Sequence, residues 1–444
     1  MTALTDISVP TLRPGDPGYD DARAVFNAMI DRRPLAILRC RDAHDVAAGI
    51  RHARTHDLPL AVRSGGHGVA GNAVCDGGIV LDLSGMKTVT VDPGQRIARA
   101  GAGLLLGDLD AATQRHGLAT PLGVMSGTGI AGLTLGGGLG WLNGPHGLAC
   151  DNLVGAEVVT ADGDILDVGP DAHADLLWGL RGGGGNFGVV TSFRYRLHPV
   201  AQVLAGALTY PWPVARDVLH EHHRFMAAAP DELTSSVSLG VDSDGRPGIT
   251  VVLCWSGDPD EGERALRPLR AFGSPREDSI APVAYLDWQR LPDAGFPRGR
   301  QHYWKSGYLR HLTDAAVDAL LAVVPTIPTP ETGIGLQGLR GAAARVPADA
   351  TAFPHRAQQY DLLILAQWAD PARTDELVSW ARRAFDAVAP HLEDAVYVNN
   401  LGNEGPERVK SAYGPNHDRL AALKRAYDPA NVFRLNHNVA PLLP

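Results

Sequence analysis

With 444 residues, 45% of them hydrophobic and 20% charged, the chain is long enough for two or three globular domains and too apolar to be disordered. A net charge of −9 and the absence of any basic run or stripe exclude binding along a nucleic-acid backbone; only Lys87, Lys305, Lys410 and Lys424 are lysines. Met1 to Asp16 lacks a charged-then-apolar leader, and Cys40, Cys75, Cys150 and Cys254 lack metal-type spacing, so a cytoplasmic protein without metal or membrane partner is expected.

The first half alternates short strands and helices. Pro34–Cys40 reads as a strand, and Asp42 caps a helix with Val46, Ala47, Ile50 and Ala53 on its apolar face. Further strands are expected at Leu60–Arg63, Gly78–Leu83, Thr88–Val91 and Ile97–Ala100, then a helix near Gly107–His116. From Gly117 to Cys150 there is no Asp, Glu, Lys or Arg, but the eleven glycines indicate folded-back loops rather than a lipid-embedded helix. Ala161-Asp162-Gly163-Asp164 between Glu157–Thr160 and Ile165–Val168 is a hairpin signal, and Gly182–Gly185 leads into a strand at Val189–Tyr195.

Beyond Pro199 the strands lengthen, with examples at Val237–Val241, Ile249–Cys254 and Leu362–Trp368. Amphipathic helices fall near Pro213–Ala228, Pro259–Ala271, Thr313–Val324 and Pro371–Val388. A last helix, Asn416–Tyr427, precedes an extended Asn436–Asn438. This pattern predicts an α+β protein whose antiparallel sheet is partly covered by helices.

Two glycine clusters stand out. In Arg63-Ser64-Gly65-Gly66-His67-Gly68, glycines after a strand let backbone N–H groups face an anion such as a pyrophosphate; Ser64 adds a hydroxyl and Arg63 a charge. The second runs from Gly123 through Met125-Ser126-Gly127-Thr128-Gly129 and Gly132 to Gly136-Gly137-Gly138. It lacks a phosphate-loop lysine and does not open a βαβ helix, which argues against a nucleoside-triphosphatase or a nicotinamide site. Missing side chains over so many positions suit either a large flat ligand or close strand packing.

Together these motifs, with Gly147-Leu148-x-x-Asp151-Asn152, Arg181 to Gly188, Tyr427-Asp428-Pro429-x-Asn431-x-Phe433 and Asn436-His437-Asn438, resemble the FAD-linked oxidases of the vanillyl-alcohol-oxidase superfamily, berberine-bridge-enzyme-like group. The resemblance implies a two-lobed FAD-binding domain from residues 1–200, a substrate domain from 201–404, and a return of 405–444 to the FAD-binding domain. It implies FAD bonded covalently to His67, a neutral imidazole nitrogen adding to an electrophilic form of the ring. It places the cofactor against the first cluster from Arg63 to Gly68, against Met125 to Gly129, Gly132, Gly136 and Gly137, and against Asp151, Asn152, Val158, Asn436 and Asn438.

Two departures from the group matter. Many relatives attach the flavin a second time through a cysteine where this chain has Met125, so a single bond is expected. Many alcohol- and sugar-oxidising relatives carry a tyrosine where Asn400 follows the strand motif Tyr397-Val398-Asn399, and an amide cannot take up a proton near neutral pH. An amine, oxidised as its neutral form, needs no such base. His146, where relatives commonly have a tyrosine, is the expected substitute base, and Tyr303, Lys305, Gln337 and Tyr360 are further candidates. Adjacent His222 and His223 make a poor metal pair. The implied reaction is hydride removal from a small amine or hydroxyl substrate, with O₂ reoxidising the flavin to give H₂O₂; Thr128, a modest side chain near the flavin, favours O₂. A dehydrogenase, a redox-neutral cyclase and a flavin-stabilised binding protein remain as alternatives, and the oligomeric state is open.

Overall fold

Buried aliphatic runs set the first layer of the fold. In the computed structural model, which describes residues 8–442, Ala36–Arg39, Ile79–Asp82 and Leu60–Arg63 pair in parallel, with Thr11–Leu12 antiparallel at the edge. Helix Ala43–Thr55 packs on this sheet through Val46, Ala47, Ile50 and Ala53, and the Asp42 side chain accepts hydrogen bonds from the His44 and Asp45 amides at its N-terminus. A second, fully antiparallel sheet runs Val89–Asp92, Ile97–Gly101, Val189–Arg196, Leu153–Val159, Ile165–Val168. Its last two strands form the hairpin around Asp162 and Gly163.

The third sheet roofs the other two. Its antiparallel order is Glu277–Asp278, Gln202–Pro211, Pro247–Trp255, Leu233–Val241, Gly333–Leu339, Gln359–Trp368, Gln301–Leu309, with Ala281–Ala284 also on Gln202–Pro211. Its strands alternate. Val237, Leu239, Val251, Leu336, Leu362 and Ile364 point to one core, filled from above by helices Ala215–Ala228, Pro259–Ala271, Asp314–Val323 and Thr374–Val388. The intervening residues face the first two sheets. The α+β class with a helix-covered antiparallel sheet is therefore observed.

The charge-free stretch folds back on itself as short helices Ile130–Leu135 and Asn143–His146 and a 3₁₀ turn Ala149–Asn152. No helix among the described residues is long and apolar enough to cross a membrane. Two expected extended segments are not strands: Val398–Asn400 is a 3₁₀ turn, and residues 435–437 bend. In both places side-chain amides hold the chain by bonding backbone groups outside any ladder.

After residue 396 the chain returns to the core formed by residues 9–197. Helix His417–Tyr427 carries the fully buried Lys424, whose Nζ donates to Asp428 (2.6 Å) and to the Asn186 and Phe433 carbonyls. Burial pushes the Lys424 ammonium below its usual range, against the pull of Asp428. Asp428 also accepts the Val432 and Phe433 amides. Lys424→Met, which strands this carboxylate, is expected to cost about 3–5 kcal/mol in urea unfolding. The same change at Lys87, whose pair with Asp108 is exposed, should cost less than about 1 kcal/mol.

Candidate active site

A cavity of about 780 Å³ separates the third sheet from the first two, in the size range of cofactor and substrate sites. Its floor is where the glycine clusters meet. The Gly65 and Gly129 backbones lie so close that a Cβ on either would overlap the other's amide. Gly129 is held there by a bridge to Leu105 and by the flanking bonds Leu106 N to Thr128 O and Ile130 N to Leu104 O. Gly68, Gly132 and Gly185 also line the cavity, and a Cβ on any of them would meet nothing within 4 Å. These bare positions form a cradle for a flat ligand. Buried polar atoms without protein partners, Gln337 Nε2 and Asn436 Oδ1, lie on residues of the same wall.

Gly66, at φ +66°, turns the chain so that His67 reaches the wall. The imidazole stacks on Phe26 at 3.9 Å, and Phe26 stacks on His302 at 4.2 Å. Burial pushes His67 down to about 4, so its ring is neutral in ordinary buffers. Asn27 stitches this corner: its Nδ2 donates to the Val69 and His302 carbonyls, and its Oδ1 accepts the His302 amide.

Of the residues singled out in the sequence, Ser64 to Gly68, Met125, Thr128, Gly129, Gly132, Gly136, Gln337, Asn400 and Asn436 line the cavity. The others stand off it. Arg63 is turned away, its guanidinium on the Ala22 carbonyl, whereas Ser64, on the wall, donates its Oγ to the Ala102 carbonyl. Ser126 donates to Asp293 from beyond the wall, with Gly127 beside it. Gly137, Val158 and Asn438 lie behind the lining.

Asp151 and Asn152 are held by protein groups. Asp151 takes a bidentate bond from Arg356 at 2.6 and 2.8 Å, and Asn152 Nδ2 donates to the His146 and Leu148 carbonyls.

The base candidates need correction. His146 is not on the wall; its ring stacks on His198 at 3.9 Å. Tyr303, Lys305 and Tyr360 belong to the sheet's helix-covered face. Tyr303 accepts from Arg382, Lys305 pairs with Glu404 beneath Phe385, and Tyr360 bonds His223 in a separate cavity of about 230 Å³. Strand alternation is the reason: an odd offset sends a side chain to the opposite face. Only Gln337 has the cavity phase. His222 bonds Ser235, and no metal-type cluster of His, Cys, Asp and Glu occurs among the described residues.

The sequence reading missed Asp361. It is the third residue of the strand Gln359–Trp368, which was expected only from Leu362; it sits opposite Gln337 in register and is 2% exposed on the cavity wall. Ser306 Oγ donates to it at 3.0 Å and Asn400 Nδ2 at 2.6 Å. Burial lifts its carboxyl to about 7 despite both bonds. A lone carboxylate immediately before the apolar run that starts at Leu362 was the available signal.

Residues 34–169 match the family described as FAD binding domain, and residues 396–440 that described as berberine and berberine like. The chain is 34% identical to (R)-6-hydroxynicotine oxidase of Paenarthrobacter nicotinovorans, over 96% of each protein. It is 31% identical to an uncharacterized FAD-linked oxidoreductase of Bacillus subtilis, again over 96% of each. The crystal structure of 6-hydroxy-D-nicotine oxidase from Arthrobacter nicotinovorans superposes with a TM-score of 0.92, at 32% identity and 98% coverage of both chains. The fold and site define an FAD-dependent oxidoreductase. The chain belongs to the berberine-bridge-like branch of the vanillyl-alcohol-oxidase superfamily.

The cradle's two kinds of glycine separate experimentally. Gly65→Ala is expected to destabilise the fold by about 1–3 kcal/mol through overpacking. Gly132→Ala meets no protein atom, so it should leave the melting temperature unchanged or raised while lowering the flavin-to-protein absorbance ratio.

Proposed function

We propose that the cavity holds FAD joined covalently to His67 alone, and that the enzyme removes a hydride from a small organic substrate and passes the electrons to O₂, giving H₂O₂. The observation that carries this reading is the His67 ring: it lies on the cavity wall, neutral and pinned by Phe26. A neutral ring nitrogen is the form that can act as a nucleophile towards the flavin. Bound FAD supplies the two-electron acceptor, and the chain supplies shape and orientation.

Several features support the details. Met125 lines the wall where a second attachment would need a thiol, and its thioether offers none. The four cysteines are buried and none lines the cavity, so no thiol is placed for that bond. Asn436, its Nδ2 on the Gly185 and Phe433 carbonyls, leaves Oδ1 to accept from the cofactor. Thr128, a modest side chain, lies on the wall.

Acid-denatured protein is expected to keep its yellow colour and in-gel fluorescence, whereas His67→Ala should release all flavin on denaturation. Colourless denatured wild type refutes the covalent bond. Because burial holds His67 neutral, covalent loading of apoprotein should not change between about pH 6 and 8, where an unperturbed histidine titrates. Photoreduced enzyme should reoxidise in air at least as fast as with a quinone; a much faster quinone reaction makes it a dehydrogenase.

A further inference from the structure

We propose that Asp361 is the proton acceptor of the reaction and that the substrate's oxidised group is a hydroxyl on carbon. This rests on the reading of the cavity as the flavin and substrate site.

The cavity wall contains few groups able to take a proton. His67 is reserved for the flavin, and burial pushes His437 down to about 4, too weak a base for work near neutrality. Tyr397 Oη is occupied by the Gly138, Leu139 and Asn399 N–H groups, and burial pushes that phenol up to about 12. Tyr413 Oη donates into the Gly183 and His437 carbonyls, and burial raises it further. Glu331 is exposed at the rim. Asp361 is the buried carboxylate that remains.

Its surroundings suit the role. Ser306 and Asn400 fix the carboxylate from two different elements, the Gln301–Leu309 strand and the Val398–Asn400 turn. The titratable groups that sense its charge are the phenols Tyr308 and Tyr397, both kept neutral by burial. Lys305, one residue from Ser306, is on the opposite face with Glu404, and Arg408 is occupied by the Ser306 carbonyl. No cation therefore holds the carboxyl in its ionised form, which is why burial can lift it to about 7, where a general base is most effective.

Gln337 supplies the second half of the argument. It faces Asp361 across the strand pair, and its buried Nε2 has no protein partner. An acceptor carboxylate beside a free amide donor matches a hydroxyl, which donates its proton to Asp361 and accepts from Gln337. An amine fits poorly. A buried carboxylate would hold it as the ammonium, whose lone pair is then unavailable to expel a hydride.

The step balances as follows. The substrate O–H bond breaks and its proton goes to Asp361. The C–H bond on the same carbon breaks with its electron pair, the hydrogen leaving as hydride, and the C–O bond becomes C=O. The substrate thereby loses two electrons, which bound FAD would accept.

The test is anaerobic flavin reduction by matched alcohols and amines, followed by absorbance across pH. With an alcohol the wild-type rate should rise with pH through about 7, and Asp361→Asn should slow it by roughly 10²–10⁴-fold and flatten that limb. Ser306→Ala, which removes one bond to the carboxylate, should move the limb to higher pH and keep most of the plateau rate. An infrared carboxyl band titrating near pH 7 in wild type and missing from folded Asp361→Asn checks the group without turnover. An alcohol reaction unchanged in rate and pH profile in Asp361→Asn overturns the proposal, as does reduction by amines alone, and both leave the flavin reading standing. Failure of every compound to reduce the wild-type flavin sinks the hydride-removal reading and this one with it.

Discussion

The backbone of Gly65 lies against that of Gly129, with no space for a methyl group between them. This contact joins two segments remote in sequence into one surface and fixes how far His67 stands from Met125 and Thr128. A side chain at either position would push the segments apart by an atomic diameter and open the floor of the cavity. Nearby glycines with empty surroundings leave the room that this approach creates. Thus the same residue type acts twice, once to let protein touch protein and once to leave bare backbone on the cavity wall.

The other wall depends on a fixed charge pair. Lys424 and Asp428 are sequestered from water, and the ammonium reaches carbonyls on two other segments. By ordering residues 428–433, the pair sets the path that delivers Asn436 and His437 to the cavity. A buried ion pair contributes little net stability compared with apolar packing, but its hydrogen bonds demand one geometry. Here that geometry ties the end of the chain to the loop at Asn186.

Much of this was legible in the sequence because glycine clusters and capping residues carry short-range physics. Asp42, the hairpin at Asp162-Gly163 and strand Leu60–Arg63 lie where local rules place them. The site was harder. Whether Tyr303, Lys305 or Tyr360 meets the cavity depends on the phase of each strand, and an isolated polar residue in a strand does not declare its face. Asp361 escaped notice because the apolar run after it defined the strand, whereas its role comes from Ser306 and Asn400, contributed by distant elements. Arg63 shows the converse: a charge beside a glycine turn suggests an anion site, yet its guanidinium closes a backbone carbonyl instead.

Asn27 has a mechanical consequence. Its amide binds the segment after His67 to the first residues of the outermost roof strand, and Ala28 N adds a bond to the Arg300 carbonyl. The roof is therefore riveted to the floor beside the histidine. This rivet is one of several such ties: away from this corner, Asn143 Nδ2 donates to the Gly338 carbonyl, and Gln289 Nε2 to the Gly123 carbonyl. The spacing between the His67 segment and the strand above it hangs on one amide, so a change at Asn27 would be felt at the histidine before anywhere else in the cavity.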